Sequence, residues 1–302
     1  MKRAVFFLVV SGVLLTACGE PAAKKVLVIG IDGVRPDVLA QVSTPHIDAL
    51  IAAGAFSGAV VSEARTVSGP SWSSILTGVW PEKHGVNSND LSSNNYDRYP
   101  DFLTRLELER PELNTFAVVD WPPLGTEASG GPLLGDTIDV KLTFDGEAAG
   151  YATADAQSVA AAVRYIGNQD PDAAFVYIGY PDVAAHEHGA ASSEYYAAIG
   201  MADAHVGALV EAVRGRATYA AEDWLILVTT DHGHLDEGGH GGVTPEERTV
   251  FYLAVGPAAL SGSPGESANL VDIAVTAMAH LGVEADPDWQ LDGRVSGLAG
   301  RR

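Results

Sequence analysis

Short unbroken apolar runs recur along the chain and alternate with segments whose apolar positions repeat at helical spacing. The runs Val26–Asp32 ("VLVIGID"), Thr115–Asp120 ("TFAVVD"), Ala173–Asp182 ("AAFVYIGYPD"), Trp224–Asp231 ("WLILVTTD") and Thr249–Gly256 ("TVFYLAVG") read as strands, with a shorter one at Gly58–Val61. A strand without polar alternation is covered on both faces, as in a parallel sheet. Between the strands, Thr44–Gly54, Gly69–Gly78, Ala152–Gly167, Ser192–Arg216 and Asn269–Gly282 read as helices. The first two carry Pro just inside the start and Gly at the end, the asymmetry expected of helix boundaries. Strand and helix alternate from end to end, which predicts an α/β protein: a three-layer α/β/α sandwich with a mostly parallel central sheet. Two loop-rich stretches, Asn87–Tyr99 and Trp121–Gly150, fall outside the alternation and are candidate substrate-facing insertions.

The N-terminus follows a different pattern. Lys2 and Arg3 precede an apolar stretch, Ala4–Leu15, that is short for a membrane span. "LTAC" follows, Leu15 to Cys18, and resembles the bacterial lipobox, in which the cysteine is lipidated after cleavage. Cys18 is the single cysteine of the chain, so it has no internal disulfide partner. The expected organisation is a lipoprotein signal peptide over residues 1–17, a tether over 18–25 and one hydrolase domain over 26–302. The expected location is the cell envelope, as an exported bacterial lipoprotein anchored through lipid. Gly19 lacks the aspartate that often signals inner-membrane retention, which favours the outer membrane if the cell is Gram-negative.

Charge narrows the function. The formal net charge of −21 excludes a general basic surface for nucleic acid and repels anionic substrates at long range. A phosphate site must therefore carry its own positive charge, which bound metal would supply.

Candidate metal ligands lie at the strand ends. Asp32, Asp182 and Asp231 each follow an apolar run, where ligands collect in open α/β sheets. His232 adjoins Asp231, His186 lies four residues beyond Asp182, and His240 sits in "EGGHGG". Carboxylate plus imidazole suits zinc better than calcium or magnesium. Ser68, just before the Gly69–Gly78 helix, has two readings: a nucleophile activated by metal, or a helix cap.

These anchors, in order, resemble the alkaline phosphatase superfamily, and within it the type I phosphodiesterase/nucleotide pyrophosphatase branch. "IDGVRPD" matches the first metal-aspartate motif, and "SGPSWSSILTG" with "PEKHG" the nucleophile helix and its sequel. "YPDVAAHEHG", "TTDHG", "GGHGG" and "LDGR" match the later motifs. The resemblance implies an alkaline phosphatase-like fold with two zinc ions. One would be held by Asp182, His186 and His240, the other by Asp32, Asp231 and His232, with Ser68 as nucleophile reaching both metals. Asn89, with Asn87 as fallback, falls where the branch keeps an asparagine that binds a phosphate oxygen. The implied activity is hydrolysis of small-molecule phosphate diesters or pyrophosphate-type bonds through a phosphoseryl intermediate.

The departures point elsewhere. The branch usually has threonine as nucleophile, and here Thr66 stands two residues before Ser68. Gly69 replaces an aromatic that stacks on a nucleobase, whereas Tyr177 matches a second stacking tyrosine. "SGPSW" is also weakly similar to the sulfatase signature, with Trp72 in place of its arginine. Trp72 and Tyr177 are thus expected to bind substrate. A phosphomonoesterase would need a further cation, for which Arg65, Lys83 and Lys141 are candidates. Sulfatase-like hydrolysis and a non-enzymatic metal-binding surface lipoprotein compete with these two readings.

Overall fold

A computed structural model describes residues 22–265 and 268–300. Cys18 and the expected signal peptide lie outside the described residues. Among the described residues seven strands form one sheet: β1 (Ala23–Ile31), β2 (Ala55–Val61), β3 (Thr115–Val119), β4 (Val140–Thr143), β5 (Ala173–Ile178), β6 (Glu222–Thr229) and β7 (Thr249–Val255). Their order is β2-β7-β6-β1-β5-β3-β4. β1 pairs in parallel with both β5 and β6, and only β7 runs against its neighbours. The predicted mostly parallel sheet is therefore correct.

Seven helices have eight or more residues among those described: α1 (Pro45–Ala53), α2 (Ser68–Thr77), α3 (Phe102–Glu109), α4 (Tyr151–Asn168), α5 (Tyr180–His188), α6 (Ser193–Arg214) and α7 (Asp272–His280). β1 shows how the layers form. Val26 and Val28 point into one apolar cluster with Ile75, Leu76, Leu103 and Ile273, whereas Leu27, Ile29 and Ile31 point into another with Leu50, Ile166 and Leu209. Alternate side chains of one strand thus reach opposite helical layers, α2, α3 and α7 on one face and α1, α4 and α6 on the other. Each of these aliphatic side chains, fully buried, contributes roughly 1.5–3 kcal/mol of hydrophobic stabilisation. No helix among the described residues is long and apolar enough to cross a membrane.

Three local expectations change. The last three residues of the expected tether, Ala23 to Lys25, belong to β1, paired with Glu222 to Trp224, and Lys25 is buried with its ammonium 2.9 Å from Asp170 and 3.0 Å from Asp172. The Ala173–Asp182 run is a strand only to Ile178. Pro181 in the first turn then starts α5, so Asp182 and His186 are helical. The loop-rich stretch over 121–150 contains the edge strand β4.

Candidate active site

The site lies at the carboxyl ends of the central strands β1, β5 and β6, where the strand order switches. Its floor is built directly on strand ends. Asp32 follows β1 and is held by its own N–H donating to the Ile178 carbonyl at 2.9 Å. Asp231 and His232 follow β6, and Gly33 N–H donates to Asp231 Oδ1 at 3.1 Å. All three side chains are buried. Asp32 Oδ2 accepts two hydrogen bonds, from Trp72 Nε1 at 2.8 Å and from the Tyr177 hydroxyl at 2.6 Å. Asp32 Oδ1 and Asp231 Oδ2 accept none. They lie 3.6 and 3.2 Å from His232 Nε2.

The rim is built on a helix and a glycine-rich loop. Asp182 and His186 share one face of α5, and Asp155 on α4 caps that helix by accepting the N–H groups of Gly179 and Tyr180 at 2.8 and 3.1 Å. His240 reaches in from a loop whose Gly238, Gly239 and Gly241 all have positive φ. Asp182 lies 2.8 Å from His234 Nε2, 3.5 Å from His186 Nε2 and 3.6 Å from His240 Nε2. The Nε2 atoms of His186 and His240 are 2.9 Å apart.

Electrostatics show what this donor set lacks. Burial pushes Asp32 up to about 8, reinforced by the Asp182 charge. Burial, then the charge of Asp32, raises Asp231 well above the carboxylate range. Burial alone would raise Asp182 too, but the His234 hydrogen bond and the neighbouring imidazoles outweigh it and hold it low. His232 and His240 are pushed down chiefly by burial, which favours the neutral imidazole in each. His232 Nδ1 lies 3.2 Å from the Gly233 carbonyl and His240 Nδ1 lies 2.7 Å from the Thr66 carbonyl. An N–H donated there leaves both Nε2 lone pairs facing inward, as in histidines that bind metal. Orphaned buried carboxylate oxygens beside converging imidazole lone pairs are costly without a cation. The residues therefore fit a divalent metal that takes nitrogen and oxygen ligands.

Two compact groups have ligand atoms within 4.8 Å of one another: Asp182 with His186, His234 and His240, and Asp32 with Asp182 and His232. Five of the six expected side-chain ligands fall in these two groups, with Asp182 in both. Asp182 faces both groups, and Asp231 stands one step back, against His232. His234 is an addition to the expected set. It lies two residues past His232 in the same polar stretch, and that proximity is the one signal the sequence offers for it. Its Nδ1 is buried without a partner.

Ser68 is the first residue of α2, one past the cap position, which Val67 holds, so the helix-cap reading fails. Its Oγ lies 3.4 Å from His232 Nε2. Thr66 is buried and engaged elsewhere, its hydroxyl donating to the Gly242 carbonyl and accepting from Gly241 N–H, both at 3.0 Å. Asn89 Oδ1 accepts from Gly69 N–H at 2.8 Å, which places its amide beside the start of α2. Asn87 instead donates to the Gly85 carbonyl at the surface. A side chain at Gly69 would collide with the Ser88 carbonyl, so the aromatic expected there from the family has no room.

The cleft above these groups has a volume of about 90 Å³ and is lined by Asp32, Ser68, Asn89, Asp182, His186 and His240, with Trp121, Tyr151 and Tyr177 among the remainder. Two substrate-binding expectations need correction. Trp72 is wholly buried and outside this lining, because its indole N–H is directed at Asp32. Tyr177 reaches the cleft floor, but it is almost wholly buried, in T-shaped contact with Trp72, and its hydroxyl donates to Asp32, which leaves its ring little surface for stacking. Trp121, from the second loop-rich stretch, does line the cleft.

Residues 26–247 match the family model described as type I phosphodiesterase / nucleotide pyrophosphatase. Ectonucleotide pyrophosphatase/phosphodiesterase family member 7 of Rattus norvegicus is 22% identical over 259 residues, covering 77% of this chain and 56% of that protein. The chain spans about half the length of the curated relatives it matches. Among solved structures, murine ectonucleotide pyrophosphatase / phosphodiesterase 5, as an inactive threonine-to-alanine form in complex with AMP, has a TM-score of 0.66 at 17% identity, covering 87% of this chain and 96% of that one. A 2-O GAG sulfatase has a TM-score of 0.70 at 14% identity, covering 90% of this chain and 73% of that one. At these identities the structural matches establish a shared fold.

Proposed function

The chain belongs to the type I phosphodiesterase / nucleotide pyrophosphatase family, and from that premise we propose that it is a two-zinc phosphoesterase that cleaves phosphate diesters or pyrophosphate-type bonds through a phosphoseryl intermediate. The observation that carries this reading is a pair of ligand groups that share Asp182 and line one cleft with Ser68, whose hydroxyl lies 3.4 Å from His232. Bound metal ions would lower the hydroxyl's pKa and neutralise charge on the transferred phosphoryl group. Asp182, His186 and His240, with His234 beside them, would hold one ion. Asp32, Asp231 and His232 would hold the other.

The chain's own residues do the rest. Ser68 Oγ, its proton released to solvent, bonds to phosphorus as the leaving oxygen departs. Water then hydrolyses the phosphoserine and restores the hydroxyl. Asn89 orients its amide toward a non-bridging oxygen. The helix terminus adds less than its position suggests, since Gly69 N–H is already bonded to Asn89 and Pro70 has none.

Diesters are favoured because no Lys or Arg among the described residues lines the cleft. A monoester carries an extra negative charge that calls for another cation. The candidates are placed elsewhere: Lys83 pairs with Asp292, Lys141 with Asp136, and Arg65 lines a separate cavity beside Gly241 and Gly242. Sulfatase-like chemistry is disfavoured by Trp72 in place of arginine. Comparing kcat/KM for an aryl phosphate diester, the matching monoester, a phosphonate ester and a sulfate tests the assignment. The diester should lead, and a tenfold monoester preference, about 1.4 kcal/mol, would overturn it. Lipid anchoring at Cys18 is part of the same proposal: Cys18→Ser should release the protein from the membrane fraction, and a soluble, unlipidated wild type would refute it.

A further inference from the structure

Trp72 and Tyr177 stand outside the chemistry just described, yet both direct their polar hydrogen at one atom of it. We propose that Trp72 and Tyr177 are positioning residues, a two-donor clamp that fixes which oxygen of Asp32 is offered to a metal ion. The proposal rests on the metal-dependent reading above and deepens it.

The geometry is specific. Trp72 Nε1 and the Tyr177 hydroxyl lie 2.8 and 2.6 Å from Asp32 Oδ2, while Oδ1 accepts no hydrogen bond and faces His232 Nε2 at 3.6 Å. Indole N–H can only donate, so the polarity of the Trp72 contact is unambiguous. The terminal torsion of an aspartate is soft and roughly two-fold, so an unclamped Asp32 would exchange its two oxygens or present both at once. Donors from two separate elements, α2 and β5, remove that freedom and preset ligation through Oδ1 alone.

The indole also has a built socket. It packs edge-on to Tyr177 with ring centroids 5.3 Å apart and tilted on Phe175 at 6.1 Å. A side chain on Gly30, two residues before Asp32 on β1, would overlap its Cη2 and Cζ3 atoms. Gly30 therefore lets the ring lie against the strand and point its nitrogen past the strand end. Packing alone would be content with any acceptor for a buried indole. Here the acceptor is the carboxylate that the site requires, and the same oxygen is shared by a second donor.

The test uses full-length protein loaded with Co²⁺ and needs no turnover. Cobalt affinity is read by chelator competition and coordination by visible absorption, for wild type, Tyr177→Phe, Trp72→Phe and Gly30→Ala. Tyr177→Phe should weaken one of two bound ions by about 10-fold or more, the usual effect of losing a partner that orients a ligand, and leave the other within about twofold. The absorption of the weakened ion should change as Asp32 is freed to ligate through both oxygens. Gly30→Ala adds no polar group, and it should reproduce both effects by displacing the indole. Circular dichroism of the metal-free proteins identifies any variant that has not folded; if Trp72→Phe is one, Tyr177→Phe decides alone. Wild-type affinities and spectrum in folded Tyr177→Phe would overturn the clamp while leaving the metal reading intact. So would unchanged metal binding with a raised KM for aromatic esters, which would return Tyr177 to the substrate. A wild type that takes up no cobalt overturns the clamp and the metal reading together.

Discussion

The floor and the rim of the site are built from the same residue types by different means. Asp32, Asp231 and His232 sit on strand ends with almost no exposure, each carboxylate held by backbone or aromatic donors. Asp182, His186 and His240 sit on a helix turn and a glycine loop, and the His186 side chain is 45% exposed. Burial raises the carboxylates of the floor, whereas neighbouring imidazoles hold Asp182 at the rim low. The same ligand chemistry is thus rigid, dry and starved of charge on one side, and on the other is opened to solvent through His186 and carried on a glycine-rich loop. An ion on the floor should exchange slowly and depend on every ligand. An ion at the rim should exchange readily and survive the loss of one.

The largest effect is expected where the halves meet. Ser68→Ala should lower turnover by about a thousandfold or more with metal content unchanged, because the proposed nucleophile is lost and both ligand groups stay intact. Thr66→Ala should cost less, since Thr66 only ties down the loop carrying His240. Steady-state kinetics with metal analysis measures both, and the reverse ranking would shift the nucleophile by two residues. Next comes the contrast between halves. Asp32→Ala should abolish floor-site metal and activity even in excess zinc. His186→Ala should weaken rim affinity by roughly 10- to 100-fold and recover activity as zinc is raised, because His234 stands ready beside the remaining ligands. Equal responses to added zinc would erase the distinction between the halves.

The smallest effect concerns a buried imidazole belonging to neither half. His84 is pushed down to about 4, chiefly by burial, with Nε2 3.0 Å from Ser74 Oγ and Nδ1 accepting from Val86 N–H at 3.1 Å. Its unfolded value is about 6.5, so between 6.5 and 4 the unfolded chain binds the extra proton. Stability should therefore fall as pH drops through that window, by at most about 1.4 kcal/mol per pH unit for this one proton. Denaturant titrations of wild type and His84→Gln should show a shallower slope in the variant. Identical slopes would mean that His84 titrates alike in both states.

What is legible in the sequence follows from what burial writes into it. Strands β1, β3, β5, β6 and β7 stand out because both faces are covered, which removes polar alternation. β4, "VKLT", is a short edge strand with a lysine in it, so it lacks that signature. The antiparallel direction of β7 is likewise invisible, since a buried strand reads the same either way. Helix α3 is short and rich in charge, so the alternation of elements misses it, although Asp101 caps it by accepting from Leu103 and Thr104 N–H. The acids and histidines at strand ends are readable because few other roles call for them there. Trp72 and Tyr177 are readable as aromatics but not in orientation, because Gly30 on another strand decides which way the indole faces. His234 is hidden beside better-matched neighbours, though folding places it 2.8 Å from Asp182.

The central claim is that this convergence of acids and imidazoles is a metal-dependent phosphoester-cleaving site. Turnover of an aryl phosphate diester, followed through chelation and stepwise return of zinc, tests it most directly. Activity should disappear on chelation and return in step with about two ions per chain. Full turnover by protein shown to be metal-free would contradict the claim.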